Sequence, residues 1–563
     1  MGTDDADRQA APAPVDGADA ARHVLRALVD REPQRHPLVI GLVAPLGTRL
    51  AQVTRSLREG LARYGYDCRE IVLSGLLDKI DNGPWGELPV RGTQGYHEKR
   101  MDAGDQLRRD TGTGSTLAAL GVAEVAPLRR SDPMSTAYVF RSLKHPQEAD
   151  LLRHVYGDAF WLVGVVTDPD ERCDDFVEDL TTAAATFDNP RAEAERLMAR
   201  DEADAAETMG QQVREVFATA DVYLAMRRGY DCAEQVDRFL EGLFGKPFFT
   251  PQPDEEAMCL AHDASLRSAA VGRQVGAVLV PTTGTTYVTG TNEVPKPGGG
   301  QFWVGDEPDH RDFRTGDDPN PAYTTRMLKE LFGRLGGADD WLVPELRGLS
   351  GSELLRRAQE RDDEGNSLIA GTRAAAVIEF TRCLHAEQAA IANAARQGVS
   401  TNDGTMYTTT FPCHECAKFI VGAGIRQVIY VEPYPKSMVQ QLYRDLIDTR
   451  PPLDDVRPNE IPSKVPFRPY VGFAPSRYDA VFAAGARRSA EGLAIFERDK
   501  ACPRGPGWSE AAVVEREAAA VGAVTRLVAA TYGAPSESGQ PETGGRGEHE
   551  AEEPASGSAE KGA

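Results

Sequence analysis

One stretch decides the fold of the second half of this chain: MYTTTFPCHECAKFIVGAG, residues 406–424. Its apolar start, 406–410, predicts a strand, and its later part, 417–423, predicts a helix. Cys413 and Cys416 are three residues apart where the helix begins, so both lie on one face, and the positive end of the helix favours their thiolate forms. A strand leading into a thiolate pair predicts half of a metal site.

A second stretch, CLHAE at residues 383–387, supplies the other half and leads into a predicted helix at 388–396. One imidazole from His385 and two thiolates give Zn²⁺ three protein ligands and leave the fourth position open to water, as in catalytic zinc sites. Glu387 is two residues further on, where its carboxylate can take a proton from that water, deliver it to the ring nitrogen, and in a later proton transfer protonate the departing ammonia. The pattern H-x-E…P-C-x-x-C is the signature of zinc nucleobase deaminases.

Each half alone has a simpler explanation. A C-x-x-C pair also occurs in structural zinc sites and in thiol redox pairs, and an isolated His-Ala-Glu is common. The order of the two halves, with helices behind both and a further strand at 427–431, favours a catalytic zinc site. His414 and Glu415, between the cysteines, are expected to be exposed residues of the helix start.

Outward from this core, the sequence divides into two α/β halves. The second half begins with a predicted helix at 254–271 and a hairpin with strands at 275–281 and 287–291. The break Gly245-Lys246-Pro247 predicts the domain boundary before it. The predicted units are a disordered N-terminus at 1–35, a first domain at 36–246, a second domain at 250–495 with a long insert at 296–376, a helical segment at 496–532 and an acidic disordered tail at 533–563.

The insert at 296–376 is rich in Gly, Asp and Arg, with helix-like pieces at 322–335 and 352–359. An insert of this length is usually a lid, an oligomer contact or a loop.

The first half contains a predicted β-α-β unit, with a strand at 38–43, a helix whose apolar face includes Leu50 and Leu57, and a strand at 69–73. A further buried strand is predicted at 160–166. Residues 41–49, GLVAPLGTR, lie between the first strand and helix, where a phosphate-binding loop would lie. The candidate nucleotide-binding residues of this loop are Gly41, Gly47, Thr48 and Arg49.

This loop lacks the lysine of a complete phosphate-binding loop, whichever glycine is taken to start it. Arg49 offers a charge but not the same geometry. Weak nucleotide binding and no binding both remain open, and phosphoryl transfer is not expected.

Composition limits the function further. The chain has 563 residues with a net charge of −23, which disfavours duplex DNA as a partner. No apolar run approaches the roughly 20 residues that span a bilayer, so no membrane partner is expected. The first residues do not resemble an export signal, and the eight cysteines are expected to be reduced thiols of a cytoplasmic protein.

Four segments resemble the deoxycytidylate deaminase family in the family's own order: residues 273–277 (RQVGA), 291–293 (TNE), 385–388 (HAEQ) and 411–418 (FPCHECAK). The resemblance covers most of residues 254–435 and implies a cytidine deaminase-like α-β-α domain. It implies that Asn292 contacts the sugar, that the backbone around Ala386 contacts the cytosine edge and that Tyr434 lines the pocket. The insert at 296–376 is longer than in the simple enzymes.

The insert and the first half are more similar to the bacterial anti-phage dCTP deaminases, in which a P-loop NTPase or kinase-like α/β domain precedes the deaminase. The segments RSLKHP at 141–146 and YVEPYPK at 430–436 carry this resemblance. It implies hydrolysis of dCTP to dUTP and dCMP to dUMP, with Zn²⁺ as cofactor and depletion of dCTP during infection. It also implies activity that is restrained before infection, by an RNA, a protein or a phage product, and a homo-oligomer.

Two other functions stay open. The same zinc chemistry could act on a cytidine base in RNA or DNA, although the net charge and an aromatic content of 7% argue against it. The protein could also be a non-catalytic, zinc-containing nucleotide sensor. Glu387 argues against that, because a structural zinc site has no use for a proton shuttle.

Overall fold

The computed structural model describes residues 34–182, 187, 189–202, 204, 208–227, 232–282, 284, 286–316, 319–338, 342–361, 367–434, 437–451, 463–485, 487–489, 492–504 and 508–533. The disorder predicted for residues 1–35 and 533–563 falls almost entirely outside these residues. In the part of the chain that is described, no helix has both the length and the apolar character needed to cross a bilayer.

The first half folds around a six-stranded sheet covered by helices. Five of its strands come from this half: β1 (Leu38–Val43), β2 (Asp67–Val72), β3 (Thr136–Arg141), β4 (Phe160–Thr167) and β5 (Val222–Met226). The sixth is a short strand from later in the chain, Gly472–Phe473. The helices of the first half are α1 (Leu50–Ala62), α2 (Tyr96–Thr111), α3 (Thr116–Ser131), α4 (Pro146–Tyr156), α5 (Pro169–Thr182), α6 (Pro190–Glu202), α7 (Val213–Ala218) and α8 (Ala233–Leu243).

The strands β2, β3, β1, β4 and β5 lie side by side in that order and are parallel. All six residues of β1 are buried, as expected for a central parallel strand with helices on both faces. Leu38, Ile40 and Leu42 enter one apolar cluster, and Val39 and Val43 enter the other. The predicted α/β class and the central strand at 38–43 are confirmed.

The second half also contains a six-stranded sheet, and both sheets are mixed. Its strands and the short strands that follow are β6 (Gly276–Val280), β7 (Val288–Thr291), β8 (Thr405–Thr410), β9 (Gln427–Glu432), β10 (Ile447–Asp448), β11 (Val465–Pro469), β12 (Gly472–Phe473), β13 (Arg488–Ser489) and β14 (Gly492–Leu493). Its helices are α9 (Pro253–Leu266), α10 (Asp312–Thr315), α11 (Pro319–Gly336), α12 (Gly351–Gln359), α13 (Ala386–Gln397), α14 (His414–Gly422), α15 (Val439–Leu442), α16 (Tyr478–Phe482) and α17 (Glu510–Tyr532).

The second sheet has the order β7-β6-β8-β9-β11-β10. Helix α9 packs on the face that joins the core of the first half, whereas α13 and α14 pack on the opposite face. Two glycines permit this close packing. A Cβ at Gly276 would lie 1.9 Å from the Ala261 carbonyl oxygen of α9, and a Cβ at Gly290 in β7 would lie 2.1 Å from the Ala386 carbonyl oxygen of α13.

The chain connects the two halves at the predicted boundary, 245–247, and again through a later segment. One continuous segment forms β11 in the second sheet and then β12, which pairs antiparallel with β5 of the first sheet. The Tyr470 N–H donates to the Tyr430 carbonyl in between, and the Phe473 N–H donates to Glu255 Oε1 of α9. The sequence did not predict this return of the chain.

The C-terminal helix α17 also returns to the first half and packs against α3. Arg129 of α3 donates from Nε and Nη2 to the two carboxylate oxygens of Glu517, at 2.9 Å and 2.7 Å, and both side chains are buried. A helical segment was predicted at 496–532, but its docking place was not.

The insert forms a hairpin of α11 and α12, close to the predicted helical pieces. The start of α11 is tied to the segment that leads into α13, because Asn320 Nδ2 donates to the Val377 carbonyl at 2.9 Å. The insert therefore ends directly before the His385 region.

Candidate active site

The two halves of the predicted zinc site meet where α13 and α14 begin. His385 precedes α13 and Cys413 precedes α14, so both ligand segments are helix starts that follow the sheet. The Nδ1 atom of His385 lies 3.1 Å from Cys413 Sγ and 3.3 Å from Cys416 Sγ. The backbone N–H of Cys416 donates to Cys413 Sγ at 3.4 Å, as expected for a cysteine that caps a helix.

This donor set fits zinc. The three ligand atoms lie within 4.8 Å of one another. They are close enough for a single ion at the usual distances of about 2.3 Å to sulfur and about 2.0 Å to nitrogen. Both cysteines are buried, which shields the thiolates from competing reactions. The group offers three protein ligands, so a fourth position would stay free for water.

Hydrogen bonds set the charges of the three ligands. The Cys416 thiol and the His385 imidazole donate to Cys413, which lowers the pKa of Cys413 well below that of a free thiol. Burial raises the pKa of Cys416, because desolvation disfavours the thiolate, and the hydrogen bond with Cys413 and the negative charges of Glu387 and Cys413 raise it further. Burial lowers the pKa of His385, but the hydrogen bond and charge of Cys413 outweigh it and raise the value to about 8. The cluster therefore favours a bound cation that can hold both sulfurs as thiolates.

Glu387 lies in the first turn of α13, next to this cluster. Glu387 is only 4% exposed, and its Oε2 lies 3.4 Å from Cys416 Sγ. Burial, followed by the charge of Cys413, raises the pKa of Glu387 to about 7. A carboxyl group that exchanges its proton near neutral pH is suited to accept and return protons.

Asn292 directly follows β7, and its neighbour Glu293 pairs with Leu384, directly before His385. The side-chain amide of Asn292 bonds to backbone, with Oδ1 accepting from the Val275 N–H and Nδ2 donating to the Arg273 carbonyl, both at 2.7 Å. The structure thus brings Asn292 beside the ligand segment. Its sugar contact stays a prediction.

Ala386 belongs to the apolar cluster that contains Cys413 and Cys416, and Tyr434 packs against the same cluster. Ala386 is fully buried and is the first residue of α13, where backbone N–H groups have no partner within the helix. Burial raises the pKa of the Tyr434 phenol, and the negative charge of Cys413 adds to this rise. Their contacts with a base stay predictions.

Two neighbours of the site were missed by the sequence. Glu293 is buried and accepts from the Ala269 and Val294 N–H groups at 2.9 Å and 2.8 Å, which fixes the end of β7. The expectation that His414 is exposed was wrong. It is 8% exposed, because its Nε2 faces Glu379 at 3.7 Å in the segment that leaves the insert.

The predicted nucleotide-binding residues lie in the first domain, apart from the zinc ligands. Gly41 is inside β1, where a Cβ would press on the Phe160 ring at 3.1 Å. Gly47 and Thr48 form the turn after β1, and the Thr48 hydroxyl donates to the Pro45 carbonyl at 2.7 Å. Arg49 forms an ion pair with Asp175 of α5.

The part of the chain that contains the site matches a known protein family. Residues 251–432 match the family described as the cytidine and deoxycytidylate deaminase zinc-binding region. This range contains the three ligands, Glu387 and Asn292. The predicted zinc cofactor is confirmed by this match together with the His-Cys-Cys donor set.

Several curated proteins match shorter segments. A deoxycytidylate deaminase of Enterobacteria phage T2 is 48% identical over 54 residues, which are 10% of this chain and 29% of the relative. ComE operon protein 2 of Bacillus subtilis (strain 168) is 43% identical over 65 residues, 11% of this chain and 34% of the relative. A probable deoxycytidylate deaminase of Drosophila melanogaster is 50% identical over 48 residues, 8% of this chain and 23% of the relative. The chain spans about a third or less of the length of these relatives.

Among solved structures, the dCMP deaminase of cyanophage S-TIM5 in apo form aligns over 39% of this chain and 99% of its own. The sequence identity is 17% and the TM-score is 0.20, which is too low to support an argument about the fold.

Proposed function

We propose that this chain, whose C-terminal half carries a zinc-binding region of the cytidine and deoxycytidylate deaminase family, hydrolytically deaminates deoxycytidine nucleotides. The observation that supports this most strongly is the position of Glu387. A buried carboxylate lies next to a His-Cys-Cys donor set and takes no part in that set, which is the arrangement needed for a proton shuttle beside a metal.

In the proposed reaction, water adds to C4 of the cytosine ring and ammonia leaves, so that uracil forms. The zinc held by His385, Cys413 and Cys416 supplies Lewis acidity that makes the water acidic. Glu387 accepts one proton from the water and delivers it to N3 of the ring. It then accepts the second proton, from the hydroxyl group now on C4, and gives it to the departing amine, so that the C4 carbonyl of uracil forms as ammonia leaves. The first turn of α13 presents backbone N–H groups from Ala386 onward to the base, and Tyr434 closes the pocket beside the ligands.

For the substrate we propose both dCTP and dCMP, with Asn292 contacting the sugar. The resemblance to anti-phage dCTP deaminases supports depletion of dCTP during phage infection as the biological role. The same resemblance supports a cytoplasmic homo-oligomer whose activity is restrained before infection.

For the first domain we propose a P-loop-like regulatory role without kinase activity. The order of its parallel strands puts the loop after β1 at the reversal of the sheet, where α/β proteins bind ligands. The missing lysine removes the group that normally contacts the terminal phosphates. Protein incubated with ATP and dCMP should therefore form dUMP and no dCDP, and formation of dCDP would reject the regulatory role.

The decisive experiment replaces Glu387 with Gln and follows ammonia release from dCTP, dCMP and cytidine in RNA. Glu387→Gln should keep one zinc per chain but lower turnover by roughly 10²- to 10⁴-fold, since it removes only the proton shuttle. Glu415→Gln, between the same two cysteines and paired with Lys418, is the matched control and should keep its activity.

Near-normal deamination by Glu387→Gln would reject the mechanism. A wild-type protein that contains zinc but releases no ammonia would favour the nucleotide sensor. Release from RNA alone would favour the RNA deaminase.

A further inference from the structure

A cavity of about 540 Å³ opens in the first domain, away from the zinc ligands. Its walls are the turn after β1, the segment after β2, the segment after β3 and one side of α2. It therefore lies at the carboxyl edge of the parallel strands, beside the central strand where the strand order reverses. Open α/β sheets bind ligands at this place, and the volume lies within the range of small-molecule sites.

The walls of the cavity are cationic in a chain of net negative charge. Its cationic side chains are Arg49, Arg91, Arg100, Arg108, Arg141 and Lys144. Its acidic side chains are Glu148, Asp175, Glu178 and Asp179. Arg108 is 1% exposed, and its Nε has no hydrogen-bond partner among the described residues. Each of these six cations is paired with a carboxylate of the chain, so an anionic ligand in the cavity has to compete with those carboxylates for them.

Two residues of the cavity wall, Leu46 and Lys144, already hold an anion from the protein itself. The carboxylate of Asp201, at the end of α6, accepts from the Leu46 N–H at 2.8 Å and from Lys144 Nζ at 2.6 Å. Its side chain is fully buried. A loop N–H and a lysine that converge on one buried anion form the contacts by which proteins hold a phosphate group.

We propose that this cavity is a binding site for a phosphorylated ligand, and that Asp201 occupies the phosphate position in the structure seen here. A phosphate cannot enter beside Asp201, because two anions would compete for the same two donors. The ligand must displace Asp201. This inference concerns the first domain alone and does not depend on the proposed deamination.

A second ion pair keeps the other side of the turn closed. Arg49 pairs with Asp175 of α5, which has 9% of its side chain exposed. The turn itself lies tightly on α5, since a Cβ at Gly47 would lie 2.6 Å from the Arg172 carbonyl oxygen. Lys144 and Arg49, the two cations beside the turn, are thus both held by internal carboxylates.

The test measures binding of tripolyphosphate and of ATP to the full-length protein by isothermal titration calorimetry. Wild type should bind both weakly, and Asp201→Asn should bind at least one about tenfold more tightly, because Lys144 and the Leu46 N–H then meet no competing charge. Glu195→Gln, an exposed residue of the same helix paired with Arg191, should bind as wild type does. A gain for ATP alone identifies a nucleotide, and an equal gain for both probes identifies the phosphate group as the ligand.

The double variant Asp201→Asn with Lys144→Ala should bind no more tightly than wild type, because it also lacks the lysine that would receive the phosphate. This result would locate the ligand at Lys144. If Asp201→Asn does not fold, as judged by circular dichroism, Asp175→Asn is tested instead. This variant releases Arg49 and should also bind at least one probe about tenfold more tightly than wild type. Folded single variants that bind no more tightly than wild type would overturn the proposal, and so would a gain that survives in the double variant. Micromolar binding of tripolyphosphate by wild type would also overturn it.

Discussion

Replacing Gly290 with alanine should displace helix α13, whose first turn carries Glu387 next to the zinc ligands. Gly290 lies in β7, and α13 packs on it through backbone atoms. The added Cβ would lie 2.1 Å from the Ala386 carbonyl oxygen and 2.3 Å from the Ala390 nitrogen. Neither atom belongs to a flexible side chain, so the contact can be relieved only by moving the helix or the strand.

The size of the effect follows from these distances. A Cβ essentially never approaches closer than 3.0 Å, so α13 must move by about 1 Å at the turn that carries Glu387. A displacement of about 1 Å in a catalytic group can lower the rate by about 10²-fold. We therefore expect Gly290→Ala to lower kcat/KM for dCMP by about 10²-fold while the protein stays folded.

The assay is ammonia release at several dCMP concentrations, together with zinc content and the thermal unfolding midpoint. Gly422→Ala is the matched control, because Gly422 lies at the end of α14 and a Cβ there would have no described heavy atom within 4 Å. Gly276→Ala makes a similar clash with α9, which carries no proposed catalytic residue, so its main effect should be on stability. Activity of Gly290→Ala within about threefold of wild type would refute the argument that this packing positions Glu387.

Three further outcomes follow from the metal site and the C-terminal helix. Cys416→Ala should lose zinc and unfold at a lower temperature, since it removes a ligand from a site that couples metal binding to folding; full zinc occupancy by elemental analysis would show that the ligand is wrong. Dialysis against a chelator should abolish deamination and lower the unfolding midpoint, and added Zn²⁺ should restore both. Glu517→Ala should lower the free energy of unfolding by about 3–5 kcal/mol in urea titrations, because the buried Arg129 loses a bidentate partner. Glu515→Ala, exposed on the same helix, should have little effect, and an equal loss in both variants would contradict the role of the ion pair.

The zinc site could be predicted from the sequence because its parts are local. Cys413 and Cys416 are three residues apart at a helix start, so their spacing implies a common face. His385 and Glu387 lie within one short motif at another helix start. Both segments follow or precede elements with clear apolar patterns. The pairing of β6 with β8 then brings them together, because α13 packs on β6 and β7 while Cys413 follows β8.

Contacts between residues that are far apart in the chain could not be predicted, because they leave no local pattern in the sequence. Asp201 reaches Leu46 across 155 positions, and Arg129 reaches Glu517 across 388 positions. A buried ion pair has no periodicity, and each member alone has the sequence pattern of an exposed charged residue. The burial of His414 was missed for the same reason, since the segment that covers it comes from the end of the insert.

The continuous segment from β11 to β12 determines how the protein can be divided. Because it contributes a strand to each sheet, cutting the chain near residue 247 would leave the first sheet without its outermost strand and expose the edge of β5. An exposed strand edge pairs readily with other chains and promotes aggregation. The two halves should therefore be produced together, because the second half expressed alone would contain β12 without its partner strand β5.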